Sequence, residues 1–189
     1  MLPGHQTWLI GSSLVHWAQK RADAKEKAFP VLSNRSTYWH GIRGMCWNQL
    51  LPEMKALLQK HRPPRVVVVH LGGNDLASTS LVVLIRQMKK DLSLLKQRLP
   101  HTQLVWSEVA ARAKYRGAND DAKVEKARKT LNASIRQHVV KLGGFCIRHP
   151  QIVWHASHLY RTDGVHLSNV GNDMLLQNWC DGLESFCPL

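Results

Sequence analysis

Two patterns of hydrophobic and polar positions alternate along this chain. Short apolar runs at residues 7–10, 65–71, 103–107 and 145–147 read as strands. The clearest contains four consecutive valines, Val66 to Val69, a composition suited to a central parallel strand covered on both faces. Residues 38–42 read as a second, edge-like strand before Gly44. Longer stretches space their apolar residues for helices at 14–27, 47–61, 80–99, 119–142 and 169–183. In the second of these, Leu50, Leu51, Met54, Leu57 and Leu58 share a face. Pro63-Pro64, Pro100 and Gly143-Gly144 stop three of the helices, and Ser12 or Ser13 is placed to cap the first.

The resulting order is β-α-β-α-β-α-β-α-β-α. Right-handed crossovers turn that order into an α/β fold, a parallel sheet with helices on both faces. The length of 189 residues suits one domain spanning 1–189. In such sheets ligands bind outside the carboxyl ends of the strands. The residues able to do chemistry fall there. Ser13 follows the first strand, Gly44 the second, Gly72-Gly73-Asn74-Asp75 the third, and Asp163-Gly164-Val165-His166 lies beyond the fifth.

Each of these segments has a plain reading beside a chemical one. A serine at a strand-to-helix turn is an ordinary cap, but it is also a nucleophile if a base touches it. An Asp-x-x-His segment is an ordinary polar loop, yet its carboxylate can accept the Nδ1 proton of the imidazole and leave Nε2 free to take a proton from Ser13. A Gly-Gly-Asn-Asp stretch is a common turn, and its Asn74 amide is equally a donor for a developing oxyanion, with the N–H groups of Gly44 and Ser13.

Taken together, these segments resemble the SGNH (GDSL-like) hydrolase family. Gly11-Ser12-Ser13-Leu14 is similar to its G-D-S-L block, Gly44 to its second-block glycine, Gly72-Gly73-Asn74-Asp75 to its G-x-N-D block, and Asp163 to Ser168, with Gly171 shortly after, to its D-x-x-H-L-S block. The resemblance spans nearly the whole chain. It implies a flavodoxin-like three-layer α/β/α fold with a five-stranded parallel sheet. It implies Ser13 as nucleophile, His166 as general base and then acid, and Asp163 as its orienting partner. Ser13, Gly44 and Asn74 would form the oxyanion hole of an esterase acting on short acyl esters without metal or cofactor. Position 12 departs from the pattern, since Ser12 stands where the family usually has Asp and brings only a local hydrogen bond in its place. The Trp-Leu-Ile-Gly-Ser-Ser opening and the Gly-Met-Cys-Trp-Asn-Gln-Leu-Leu stretch resemble SGNH domains carried by vertebrate retrotransposons. That resemblance implies a host protein in a nucleic-acid or membrane-associated particle.

Charge adds a second function class. Lys plus Arg number 26 against 13 Asp plus Glu, a formal net charge of +13. A field of that sign attracts nucleic acid, acidic lipid or anionic substrates, so a basic SGNH-scaffold binding module with vestigial catalysis is the alternative. The charges are scattered and no nucleic-acid motif accompanies them. Arg112, Lys114, Tyr115 and Arg116 form a basic stretch that reads as a solvated loop, with an acidic substrate or phosphate as the other possibility. Trp8, Trp106 and Trp179 read as core, while Trp39, Trp47 and Trp154 lie nearer the sheet edge. The loop bearing Trp154, His158 and Tyr160 precedes Asp163 and is expected to border the substrate pocket. His155 and His158 lack a carboxylate or Cys at ligand spacing, so no metal site is expected. The four cysteines, Cys46, Cys146, Cys180 and Cys187, show no zinc or C-x-x-C spacing and read as free thiols. No apolar run reaches the roughly 20 residues of a membrane span, and residues 1–7 carry no Lys or Arg as a secretory signal would. An intracellular, cytoplasmic protein is the expectation.

Overall fold

The computed structural model describes residues 6–25, 28–34 and 36–186. Residues 1–5, read above for targeting, lie outside these, as do residues 26–27 at the expected end of the first helix and Cys187. Five strands are present: β1 Thr7–Gly11, β2 Thr37–Gly41, β3 Val66–His70, β4 Gln103–Ser107 and β5 Phe145–Ile147. All pair in parallel in the order β2-β1-β3-β4-β5. That is the flavodoxin-like order. The valine-rich strand is central and the strand before Gly44 is an edge, as the composition implied.

Alternation along the strands divides the core into two layers. Trp8, Ile10, Val67, Val69, Leu104 and Trp106 face one side. There they meet α2 (Leu50–Lys60), α3 (Leu81–Arg98) and α4 (Asp121–Lys141), through Met54, Leu57, Met88, Leu92, Leu131 and Ile135. Leu9, Val66, Val68 and Val105 face the other side, against α1 (Ser13–Ala24) and α5 (Asn169–Phe186), through Val15, Ala18, Leu175, Leu176 and Trp179. Period-two side-chain direction in strands sends neighbours to opposite faces, and with both faces covered the middle of each inner strand is apolar.

Some boundaries differ from expectation. The helix expected at 47–61 begins as a 3-10 turn, Trp47–Gln49, and becomes α2 only at Leu50. Pro52 then falls in the first turn of α2, where its missing N–H costs nothing. Ser12 occupies the N-cap of α1 but makes no side-chain cap hydrogen bond, so the capping expected of it is not formed. The stop after α4 is as read, with Gly143 at a φ of 73° and its N–H on the Val140 carbonyl. Cys46, Cys146 and Cys180 are free thiols. Among the described residues, no helix is long and apolar enough to cross a membrane.

Register places the chemistry. Gly11 pairs with Gly41 on one side and with His70 on the other, so β1, β2 and β3 end on one rung. Gly11 is required there. A Cβ at that position would lie 2.1 Å from the His70 carbonyl oxygen, closer than any side chain tolerates.

Candidate functional site

Three segments leave that rung together. Ser13 opens α1 directly after β1, so its hydroxyl stands at the carboxyl edge of the sheet and its N–H belongs to the unpaired first turn of the helix. After β2 the chain turns at Gly44, whose φ of 77° lies in the left-handed region that glycine enters freely. After β3 comes Gly72, also at positive φ, and then Asn74. The second and third segments are tied to each other. The Asn74 Nδ2 donates to the Met45 carbonyl at 2.9 Å, and the Trp47 N–H lies 3.1 Å from both carboxylate oxygens of Asp75.

The fourth segment arrives from 150 residues away in sequence. Tyr160 and Leu167 form an isolated antiparallel bridge, and the Arg161 N–H donates to the His166 carbonyl at 2.8 Å. Gly164, at a φ of 65°, makes the reversal inside this tight loop. The turn folds Asp163 back on His166. The His166 Nδ1–H donates to Asp163 Oδ2 at 2.6 Å, and the backbone N–H groups of Val165 and His166 each donate to Asp163 Oδ1 at 3.0 Å. Burial opposes ionisation of Asp163, but those two N–H groups and the His166 ring outweigh it and hold the carboxyl well below the usual carboxylate range. On its other side the His166 ring presents Nε2 to the Ser13 hydroxyl at 3.1 Å. Trp17 packs edge-on to the same ring at 6.5 Å, and the Arg161 guanidinium lies 4.0 Å from the centre of the Trp17 ring.

The Ser13 hydroxyl and the His166 imidazole thus stand at one wall of a cleft of about 590 Å³, with the Asp163 carboxylate behind the ring and with Gly44, Gly73 and Asn74 on another wall. Such an arrangement can pass the Ser13 proton to Nε2 and keep the charged ring beside an anion.

Arg112 completes the cleft and was not recognised from the sequence as part of it. It is 4% exposed, and its Nη2 donates to Asn74 Oδ1 at 3.0 Å. The stretch read as a solvated basic loop is therefore folded inward at two of its four positions. Tyr115 is buried as well, its hydroxyl donating to Glu125 at 3.0 Å. The sequence signal for Arg112 is a lone charge ending the apolar run Val109-Ala110-Ala111. Asp75, likewise unassigned, is the anchor for Trp47 described above.

The expected pocket residues are placed elsewhere. Trp154 is 52% exposed and lines a separate hollow with Glu108, Glu125 and Arg128. Tyr160 is buried and donates its hydroxyl to the Ala111 carbonyl at 3.1 Å. His158 is exposed on a 3-10 turn whose carbonyl accepts from Ser168. None of the three lines the Ser13 cleft. The physical reason is the bridge at Tyr160, which turns the chain toward Asp163 only after these residues have passed. Trp39 and Trp47 are core residues too, the latter donating Nε1 to buried Asp91 at 2.9 Å. Trp8, Trp106 and Trp179 are fully buried, as expected. Among the described residues, no three His, Cys, Asp or Glu side chains gather to hold a metal ion.

Fold and site together describe a parallel-sheet α/β protein with a serine–histidine–carboxylate series at its carboxyl edge. The sequence matches the GDSL-like Lipase/Acylhydrolase family over residues 9–174, and the chain belongs to that family. No curated protein is a match for it. Among solved structures it is similar to a GDSL-like lipase from Bacteroides thetaiotaomicron, with a TM-score of 0.77 at 16% identity over 95% of this chain and 87% of that one. It is also similar to the lipase/acylhydrolase from Enterococcus faecalis (TM-score 0.71, 14% identity, 96% of each chain). A third likeness is to a family 3 carbohydrate esterase from Clostridium thermocellum (TM-score 0.70, 16% identity, 95% and 94%). At these identities the likeness shows a shared fold.

Proposed function

We propose that this family member is a serine esterase for short acyl, acetyl-type esters, with Ser13 as its nucleophile. The observation that carries the reading is the unbroken series from Ser13 Oγ to His166 Nε2 at 3.1 Å and from His166 Nδ1 to Asp163 Oδ2 at 2.6 Å. Ser13 Oγ attacks the ester carbonyl carbon while its proton passes to His166 Nε2. The tetrahedral oxyanion accepts hydrogen bonds from the N–H groups of Ser13 and Gly44 and from Asn74 Nδ2. Its C–O bond to the alcohol then breaks, and the Nε2 proton leaves on the alcohol oxygen. Water next attacks the acyl-Ser13 carbonyl, giving up a proton to Nε2. The second tetrahedral intermediate releases the acid and returns that proton to Ser13 Oγ. Asp163 stays ionised throughout and stabilises the imidazolium that forms twice per turnover. The volume of the cleft, about 590 Å³, accommodates a small ester.

The family match favours this reading over the basic binding module. The test is labelling of the folded protein by a fluorophosphonate probe together with turnover of a chromogenic acetate ester. Both are expected for the native protein and both are expected to vanish in Ser13→Ala. Absence of labelling and turnover in the native protein refutes the proposal.

A further inference from the structure

Elsewhere in this basic molecule, partly buried arginines are paired with carboxylates. In the hollow beside Trp154, Arg128 pairs with Glu125 at 2.6 Å and Arg136 pairs with Glu108. The Ser13 cleft breaks that habit. Arg43, Arg112 and Arg116 line it, and no Asp or Glu does.

The three cations differ in how far they are satisfied. Arg116 is exposed and lies 3.5 Å from Asp163, whose carboxylate is already shared with His166. Arg43 is exposed at the neck of the Gly44 turn and has no ion pair among the described residues. Arg112 is buried, its Nη2 is on the neutral Asn74 oxygen, and its Nε finds no hydrogen-bond partner among the described residues. Asp163 and Asp75 favour its charge from a distance, but it has no direct ion pair among the described residues, and a buried cation without one is costly because the protein interior replaces little of the water it loses. Arranged around a reactive hydroxyl, such a set is complemented by an incoming anion. A guanidinium matches a carboxylate or phosphate in shape as well as charge.

We propose that the ester taken by this cleft carries an anionic oxyacid group, carboxylate or phosphate, held by Arg43, Arg112 and Arg116 while its acyl carbonyl sits at Ser13. This rests on the esterase reading above and names the class of substrate. The cleft's cations would draw the ester in from solution and hold it at the hydroxyl, so the preference appears in kcat/KM and weakens as salt screens the charges.

The experiment compares matched esters, each corrected for its spontaneous hydrolysis. On the alcohol side, para-acetoxybenzoate and para-acetoxyphenyl phosphate are set against the neutral methyl para-acetoxybenzoate. On the acyl side, the phenyl monoester of adipic acid is set against its methyl-capped analogue. The expected result is a kcat/KM about tenfold or more higher for an anionic member of either set, falling as salt is raised. Which of carboxylate and phosphate is preferred identifies the source of the charge. In Arg43→Gln, an exposed change that leaves the core untouched, the anionic-to-neutral ratio is expected to drop severalfold. Turnover of the neutral esters with no anionic preference in either set overturns this inference and leaves the esterase reading standing. Absence of turnover and of fluorophosphonate labelling with every ester overturns both.

Discussion

The Arg112 guanidinium donates to the side-chain oxygen of Asn74 at 3.0 Å, and the nitrogen of the same amide donates to the Met45 carbonyl at 2.9 Å. These two bonds fix which way the Asn74 amide faces, since a flipped amide would set donor against donor and acceptor against acceptor. In the proposed reaction Asn74 Nδ2 is a donor to the oxyanion, so Asn74→Ala is expected to lower kcat by about a hundredfold or more with little change in KM. Arg112→Lys keeps the charge but loses the fork geometry, and is expected to lie between native and Asn74→Ala. Steady-state kinetics on a neutral acetate ester read both. A native-like kcat in Asn74→Ala removes that residue from the oxyanion site.

Asp163 receives two backbone N–H groups and the His166 ring. In Asp163→Asn the amide nitrogen cannot accept the Nδ1 proton, so the ring is turned to the wrong tautomer. A fall in kcat on the order of 10³–10⁴-fold is expected, with residual fluorophosphonate labelling of Ser13 slowed rather than lost. Turnover within a few fold of native would show that His166 is oriented by something else.

Gly11 touches β3 so closely that an added Cβ meets the His70 carbonyl oxygen at 2.1 Å and the Val15 side chain at 2.7 Å. Both obstacles belong to packed elements, so Gly11→Ala must push β1 from β3. A loss of about 1–3 kcal/mol in stability is expected, read as a lower urea midpoint. An unchanged midpoint would contradict the spacing of these strands.

Beneath the site, Ser107 Oγ joins His70 Nδ1 at 2.8 Å, His149 Nε2 at 2.8 Å and Trp179 Nε1 at 2.9 Å. Burial, reinforced by the charge of Arg112 and opposed by the Ser107 bond, takes His70 from 6.5 to about 3. Burial likewise drives His149 well below its ordinary value, helped by His70 and Arg128. Both histidines are neutral in the native state, while an unfolded chain protonates them below 6.5. Between that pH and about 3 the unfolded state binds more protons, so stability falls as pH falls, by roughly 5 kcal/mol for the His70 shift taken whole. The depressed Asp163 acts with the same sign, since its contribution is also lost toward acid. Urea unfolding followed by tryptophan fluorescence should show a midpoint that drops steadily below pH 6.5. A flat profile would mean that these histidines are solvated.

Much of this protein is legible in one dimension. Apolar runs such as Val66 to Val69 have no reading other than a covered strand, because residues on both pleated faces are hydrophobic. Alternation with helical spacing dictates a parallel sheet, and a parallel sheet gathers the ends of its strands on one edge. Ser13, Gly44, Asn74, Asp163 and His166 stand out as candidates through that placement taken jointly and through the likeness of their segments to the family's motif blocks. Each closely follows a strand or sits in the last loop. Local chemistry such as the Asp163-Gly164-Val165-His166 turn was equally visible, since both partners lie within three residues.

Only the tertiary structure decided what depends on contacts across the sheet. Nothing in the spacing of Arg112 tells that it folds inward onto Asn74, 38 residues earlier, instead of into water. Trp154 and Tyr160 precede Asp163 in sequence but leave the cleft, because the bridge of Tyr160 to Leu167 redirects the chain at that point. Trp47, adjacent to the Gly44 turn, is claimed by Asp75 and Asp91 for the core. Periodicity reports which face of an element is apolar. It carries no information on which distant polar partner will satisfy a buried group, and that pairing shapes the walls of this cleft.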